Sequence, residues 1–277
     1  MINLRFWWFS VTSIIAKWLI ATSAVAGDIS DHVHNSELLG RDLPYRLYTP
    51  QGFTEQTGRQ ALLLLHGYGG SAKDWLGAGQ AGATLDRLID EGIVPPMLLV
   101  LPSAGNSWYA ASDAFGPMDQ TLLEEFLPAI SETHGIKRWS IAGLSMGGYG
   151  ALRLGLMAPE QFDVIGAFSP AIFSPGFAHG PTQLKLFGPA FGEPFDVDRY
   201  ERGNPFTLLN EVTPPPIYLS VGDNDYFKLD IGSAEFFAAA KKLGHEIEFR
   251  VEDAGHVWPF WQRQLPAMLR TMADHLN

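Results

Sequence analysis

Residues 139–150 read WSIAGLSMGGYG. An apolar run of strand type ends at Gly143, a serine follows two positions on, and Gly147 and Gly148 lead into the helix-type stretch GALRLGLM. No other segment restricts the fold as tightly. A strand that turns at once into a helix, with a small polar residue at the corner, needs backbone approaches that a Cβ would obstruct, which accounts for Gly143 and Gly147. Gly148 lets the helix lie close to the sheet. Such a corner is strained by roughly 1–3 kcal/mol. A serine with no chemical task gives no reason to hold it.

The surroundings of this corner repeat its logic. Short apolar runs bounded by Gly or Pro occur at 61–67, 97–102, 139–143, 162–169 and 217–222, with further strand-like segments at 45–50 and 245–251. They read as buried strands. Helix-like stretches lie between and after them at 82–91, 119–133, 147–158, 233–243 and 258–274, the last with Pro259 in its first turn. Strand and helix alternate, which predicts an α/β fold with a mostly parallel central sheet and helices on both faces. In such a sheet a ligand sits beyond the carboxyl ends of the strands. Residues 171–213 break the alternation and are rich in Gly, Pro and Phe. They are expected as an irregular insert near the site. It is either a lid or pocket wall, or a surface excursion packed by its own phenylalanines.

Bulk properties narrow the chemistry. The 277 residues carry a formal net charge of −11 and no cysteine. Disulfides, thiolate metal sites and a cysteine nucleophile are excluded. With no block of Lys or Arg, nucleic-acid binding is not expected. The N-terminal stretch has Arg5, a long apolar run and then Ala24-Val25-Ala26. This is the layout of a signal peptide over residues 1–26, cleaved after Ala26. The alternative is an uncleaved membrane anchor, which Lys17 in the apolar run disfavours. The expectation is a periplasmic or secreted protein with no stable membrane association after cleavage, its residues 27–277 forming one catalytic domain.

Gly143-Leu144-Ser145-Met146-Gly147 fits G-x-S-x-G. A serine hydroxyl needs a base near neutral pH, and the base needs an orienting acid. On this type of fold the partners follow in the order Ser, acid, His. Of the downstream histidines, His179 lies in the insert, His245 opens a strand and His275 is near the end, whereas His256 occupies a strand-to-helix loop in EDAGHVWPFW. His256 is therefore the expected base. The loop after IYLSVG offers Asp223 and Asp225, and Asp253 stands close to the histidine in sequence. Asp225 is the choice, because it lies far enough along the loop to reach an imidazole from the next strand. The developing oxyanion needs donors. They are expected to be the backbone N–H of Met146, at the start of a helix, and of Tyr68 in the glycine-rich turn that ends LLLLHGYGG. His66, in the wrong loop for the base, is expected to be structural.

These segments resemble the α/β-hydrolase superfamily. Within it they are similar to the esterase group that includes esterase D, feruloyl and acetyl-xylan esterases, S-formylglutathione hydrolases and mycolyltransferases. The likeness runs over roughly residues 36–274. LLHGYGGSAKDW resembles the oxyanion loop and NSWYAAS the loop lining the pocket. AGLSMGGYGALRLGLMAPEQFDVIGAFSP resembles the nucleophile turn with its helix and strand, and GDNDYF and GHVWPFW the acid and histidine loops. The resemblance implies a serine carboxylic-ester hydrolase with Ser145, Asp225 and His256 as triad, Tyr68 and Met146 as oxyanion donors, and no metal or organic cofactor. Trp108, Tyr109 and Leu144 are expected in the substrate pocket, with Trp108 and Tyr109 placed to stack on an aryl group or a sugar. Leu144 stands where formylglutathione hydrolases usually carry His. The expected substrates are small acyl or aromatic esters, some of them carbohydrate-linked. Transfer of the acyl group to an alcohol or sugar, and thioester hydrolysis, use the same residues. A non-catalytic binding module is the third alternative.

Overall fold

The computed structural model describes residues 26–54, 59–177 and 180–275. The proposed leader, apart from Ala26, and His179 lie outside these described residues. Eight strands form one sheet in the order β1-β2-β4-β3-β7-β8-β9-β10. They are β1 (Asp28–Ser36), β2 (Arg41–Thr49), β3 (Gln60–Leu65), β4 (Leu98–Pro102), β7 (Arg138–Leu144), β8 (Phe162–Phe168), β9 (Ile217–Gly222) and β10 (Ile247–Glu252). A two-stranded ribbon, β5 (Ala111–Ser112) with β6 (Gly116–Pro117), stands apart. From β4 through β10 every pairing in the sheet is parallel, while β2 runs antiparallel to both β1 and β4. This is the α/β arrangement the alternation predicts.

Period-two alternation divides the core between the two faces. Leu63 and Leu65 of β3, with Ile141 of β7, pack on one side with helix α4 (Met146–Met157) and helix α8 (Leu229–Lys242). Leu62, Leu64 and Ala142 pack on the other side with helix α1 (Ala81–Asp90) and helix α9 (Trp258–Asp274). The stretch expected as one helix at 119–133 is a continuous helical rod. It runs through α2 (Met118–Gln120), a π-helical turn at Thr121–Phe126 and α3 (Leu127–His134). Arg153 of α4 pairs with Asp119 at 2.5 Å, both nearly buried, and so pins the rod to the helix behind the serine.

Two sequence expectations need correction. Strand β1 was not anticipated, because DISDHVHNS has no apolar run. It is an edge strand whose Ile29 and Val33 are half exposed, and its formation follows from pairing with all nine residues of β2. The insert at 171–213 is not irregular. It carries helices α5 (Pro181–Phe191), α6 (Val197–Arg202) and α7 (Pro205–Leu209). Pro181 and Pro205 sit in first turns, where a missing N–H costs nothing. Asp196 and Asn204 accept backbone N–H groups as N-caps. Much of the Gly and Pro content that reads as loop therefore marks the ends of three short helices, while Gly188 and Pro189 lie inside α5. This cap is packed by its own aromatic rings: the ring centroids of Phe187, Phe191, Phe195 and Tyr200 lie 5.3–6.3 Å from one another.

Candidate active site

The turn after β7 has the strain its sequence predicts. Ser145 adopts φ 55° and ψ −116°, a conformation L-residues rarely hold. A Cβ on Gly143 would lie 2.3 Å from the carbonyl oxygen of Gly147, and one on Gly147 would lie 2.4 Å from that of Leu65. Main chain meets main chain at both places, so no side-chain motion can relieve the clash. The corner is held from three sides. Ser145 N–H donates to the Phe168 carbonyl at the end of β8 (2.9 Å). Its carbonyl accepts from Tyr149 N–H (3.0 Å) and from Ala171 N–H at the start of the cap (3.1 Å).

The acid and imidazole arrive from two neighbouring strands. β9 and β10 are parallel and in register, so their following loops emerge side by side. Asp223 N–H and Asn224 N–H donate to the carbonyls of Glu252 and Ala254, and Asn224 Nδ2 donates to Asp253 (3.0 Å). A Cβ on Gly222 would lie 2.1 Å from the Ala254 carbonyl oxygen, so the loops touch through their backbones. Asp225 is fully buried. Its Oδ2 lies 2.7 Å from His256 Nδ1, and its Oδ1 accepts the Phe227 N–H at 2.9 Å. Asp223 and Asp253 point to Asn224 and are exposed. Of the three acids weighed, Asp225 is the one that meets the imidazole. Because a carboxylate can only accept, Nδ1 carries the proton and Nε2 is left as the free lone pair.

Two rings fix the plane of this imidazole: Phe227 and Trp261 both meet it edge-on, at 5.0 and 4.9 Å between centroids. Trp261 is itself anchored, its indole N–H donating to Ser169 Oγ (3.1 Å). Sequence reasoning missed Phe227, Trp261 and Ser169. Trp261 has a readable sign, since it stands five residues after His256, on the buried face of the following helix.

Ser145 and His256 line one cavity of about 440 Å³. Among the described residues no hydrogen bond joins their side chains. Such bonds are often long without substrate and tighten on binding. The walls are mostly aromatic and aliphatic, with Leu144, Trp108, Phe173, Phe187 and Trp258 prominent, and Gly67 and Tyr68 form part of the rim. Met146 has a fully buried side chain, and its N–H is one of the free donors at the first turn of α4. Neither the Tyr68 nor the Met146 N–H has a partner among the described residues.

Three of the expected side-chain positions need comment. Leu144 and Trp108 line the cavity, and the indole N–H of Trp108 donates to the Leu186 carbonyl of the cap (2.9 Å). Tyr109 does not line it. Trp108 and Tyr109 both have positive φ, and this double left-handed turn sends the two rings apart. Tyr109 goes into the core, where its hydroxyl donates to the His66 carbonyl (2.9 Å) and its ring fills the space left by Gly150. His66 is structural, as expected. Its Nε2 accepts the Ala104 N–H (3.1 Å), so Nδ1 must carry the proton toward Gly67 O (2.8 Å). Burial holds this imidazole below the usual histidine range.

Among the described residues no three His, Asp or Glu side chains are grouped as metal ligands. The arrangement sets a strained serine, an imidazole and a buried carboxylate beside unpartnered backbone N–H groups, a set that can support acyl transfer through a covalent intermediate.

The Esterase family model ("Putative esterase") matches residues 36–272. An acetyl esterase of Caldicellulosiruptor saccharolyticus is 27% identical over 231 residues, covering 74% of this chain and 80% of that protein. A ferulic acid esterase structure superposes with a TM-score of 0.76 at 24% identity, over 90% of this chain and 98% of the other. An S-formylglutathione hydrolase from Agrobacterium tumefaciens superposes with a TM-score of 0.78 at 19% identity, over 92% and 98%. These two structures share the fold. With more than four-fifths of its length under one family model, the chain belongs to the esterase family and is a carboxylic ester hydrolase of the α/β-hydrolase fold.

Proposed function

We propose that Ser145, Asp225 and His256 are the catalytic triad, and that the substrates are esters of small or aromatic acids, including carbohydrate-linked ones. The observation that carries the assignment is the 2.7 Å contact between a fully buried Asp225 and His256, opening on the same cavity as the strained Ser145. Ser145 Oγ attacks the acyl carbon while His256 Nε2 takes its proton. The developing oxyanion is held by the N–H groups of Tyr68 and Met146, each donor being worth roughly 10²–10³ in rate. His256 then protonates the leaving alcohol. Water, deprotonated by the same nitrogen, attacks the acyl-enzyme and frees the acid. Asp225 holds the Nδ1 tautomer and stabilises the imidazolium.

The aromatic walls support an acyl group with a flat face. A cavity of about 440 Å³ suits a molecule larger than acetate alone. The acetyl and ferulic acid esterases among the relatives fit the same range. Export by the N-terminal leader, placing the enzyme in the periplasm or outside the cell, is part of this reading. Replacing Ser145 with Ala tests the core of it. Release of nitrophenol from the acetate ester is expected to fall at least about 10³-fold with the fold retained. Undiminished turnover by the purified variant would overturn the assignment.

A further inference from the structure

The amino end of β1 makes a contact that an internal peptide bond uses poorly. The nitrogen of Gly27 lies 2.9 Å from the Tyr48 hydroxyl oxygen and 3.1 Å from Asp86 Oδ2. Tyr48 in turn donates its hydroxyl proton to the same Asp86 oxygen. One amide proton is thus shared between two acceptors. The position is also closed to side chains: a Cβ on Gly27 would lie 2.6 Å from both the Thr49 carbonyl oxygen and the Tyr48 ring. Asp86 has no cation among the described residues. Its neighbour Arg87 is engaged by Glu91 at 3.0 Å.

The peptide bond before Gly27 follows Ala24-Val25-Ala26, the small-x-small pattern after which leader peptidases cut. We infer that the chain is cleaved between Ala26 and Gly27 and that Tyr48 and Asp86 form a receptor for the new α-ammonium group. Water adds across the bond, leaving a carboxylate on Ala26 and an ammonium on Gly27. The ammonium has three donors where the amide has one, so both oxygens are served at once. It also brings the positive charge that Asp86 lacks. The charged groups around it are Asp86, Arg87, Asp90 and Glu91, which line the adjoining cavity with Tyr48, and Asp28, the next residue of β1. Acids predominate, so the field favours the ammonium. Processing thereby does more than detach a leader, since it completes an ion pair that ties β1 to β2 and α1.

The inference is independent of the ester chemistry, and its test does not read activity. The full chain is expressed in an exporting bacterium and the intact mass of the exported protein is measured. The expected mass begins at Gly27, and any other start overturns the proposal. Thermal unfolding then compares a chain beginning at Gly27 with one that keeps Ala26 in front of it. The shorter chain is expected to melt roughly 2–4 °C higher. A folded-state amine pKa raised by Asp86 makes this advantage complete below pH ~7.7 and lost as pH rises through the folded value. Equal melting temperatures at pH 6.5 would also overturn the proposal. In Asp86→Asn the gap between the two chains is expected to close, and a gap of unchanged size would refute the role of Asp86. If that variant does not fold, the mass and the comparison of unsubstituted chains still decide.

Discussion

The Ser145 turn and the cap both border the same cavity, but they are held by different parts of the chain. At the turn, a Cβ on Gly143 or Gly147 would lie 2.3–2.4 Å from a main-chain oxygen, and Ser145 is held by main-chain hydrogen bonds of 2.9–3.1 Å. In the cap, Phe187, Phe191 and Tyr200 hold one another by ring contacts, with Trp108 reaching across at 4.2 Å to Phe187. Backbone contacts leave no room for substitution, whereas ring contacts can be exchanged for others of similar volume. The position of Ser145 is therefore set by rigid main chain, and the shape of the cavity beside it by replaceable side chains.

Four changes would break or sharpen this contrast. The largest effect is expected from Asp225→Asn, which keeps the shape but favours the wrong imidazole tautomer. Steady-state kcat should fall by about 10⁴, and a loss under tenfold would contradict the orienting role. Gly147→Ala comes next. Its Cβ cannot avoid the Leu65 carbonyl, and displacing Ser145 by an ångström is expected to cost about 10²-fold in kcat/KM. A variant with normal kinetics would mean that the turn yields more readily than its contacts imply. Phe187→Leu should leave kcat on the acetate ester nearly intact. It should shift the ratio of feruloyl to acetyl kcat/KM by about tenfold and cost about 1–3 kcal/mol of stability. An unchanged ratio would remove the cap from substrate choice.

The smallest effect concerns His66, which sits under the Gly67–Tyr68 rim without facing the substrate. Burial depresses its folded pKa, so the unfolded chain binds the proton first. Stability from this group is complete above pH ~6.5 and declines as pH falls below it, by at most about 1.4 kcal/mol per pH unit. Urea unfolding at pH 7.5 and 5.5 should show this decline in the native protein and a smaller one in His66→Gln. Equal declines would remove His66 as its source.

The same division explains what could be read in advance. The nucleophile turn, the alternation of parallel strands and helices, and the loops bearing Asp225 and His256 were legible, because local backbone demands leave glycines and apolar runs at fixed places. The helices of the cap were not, since their sequence is dominated by end signals such as Pro181 and Pro205, and their stability comes from contacts across the cap. Tyr109 was misplaced for a related reason. Neighbouring residues ordinarily point to opposite sides, but which of the two faces the cavity depends on two consecutive positive φ angles that no pattern announces. Ser169 and Trp261 hold the imidazole plane through a link spanning 92 residues, and no local signal reports such a pair.

The cap has one more property, which follows from strand direction. It occupies the connection between β8 and β9, which are parallel neighbours. The polypeptide leaves the upper rim of the sheet at Phe168 and must re-enter at the lower rim at Ile217, a return journey of roughly 20 Å for strands of this length. Shortening the segment to widen the entrance thus has a floor. Below about a dozen residues the chain could no longer complete the journey, and β9 and β10 would lose their places together with the acid and imidazole they deliver.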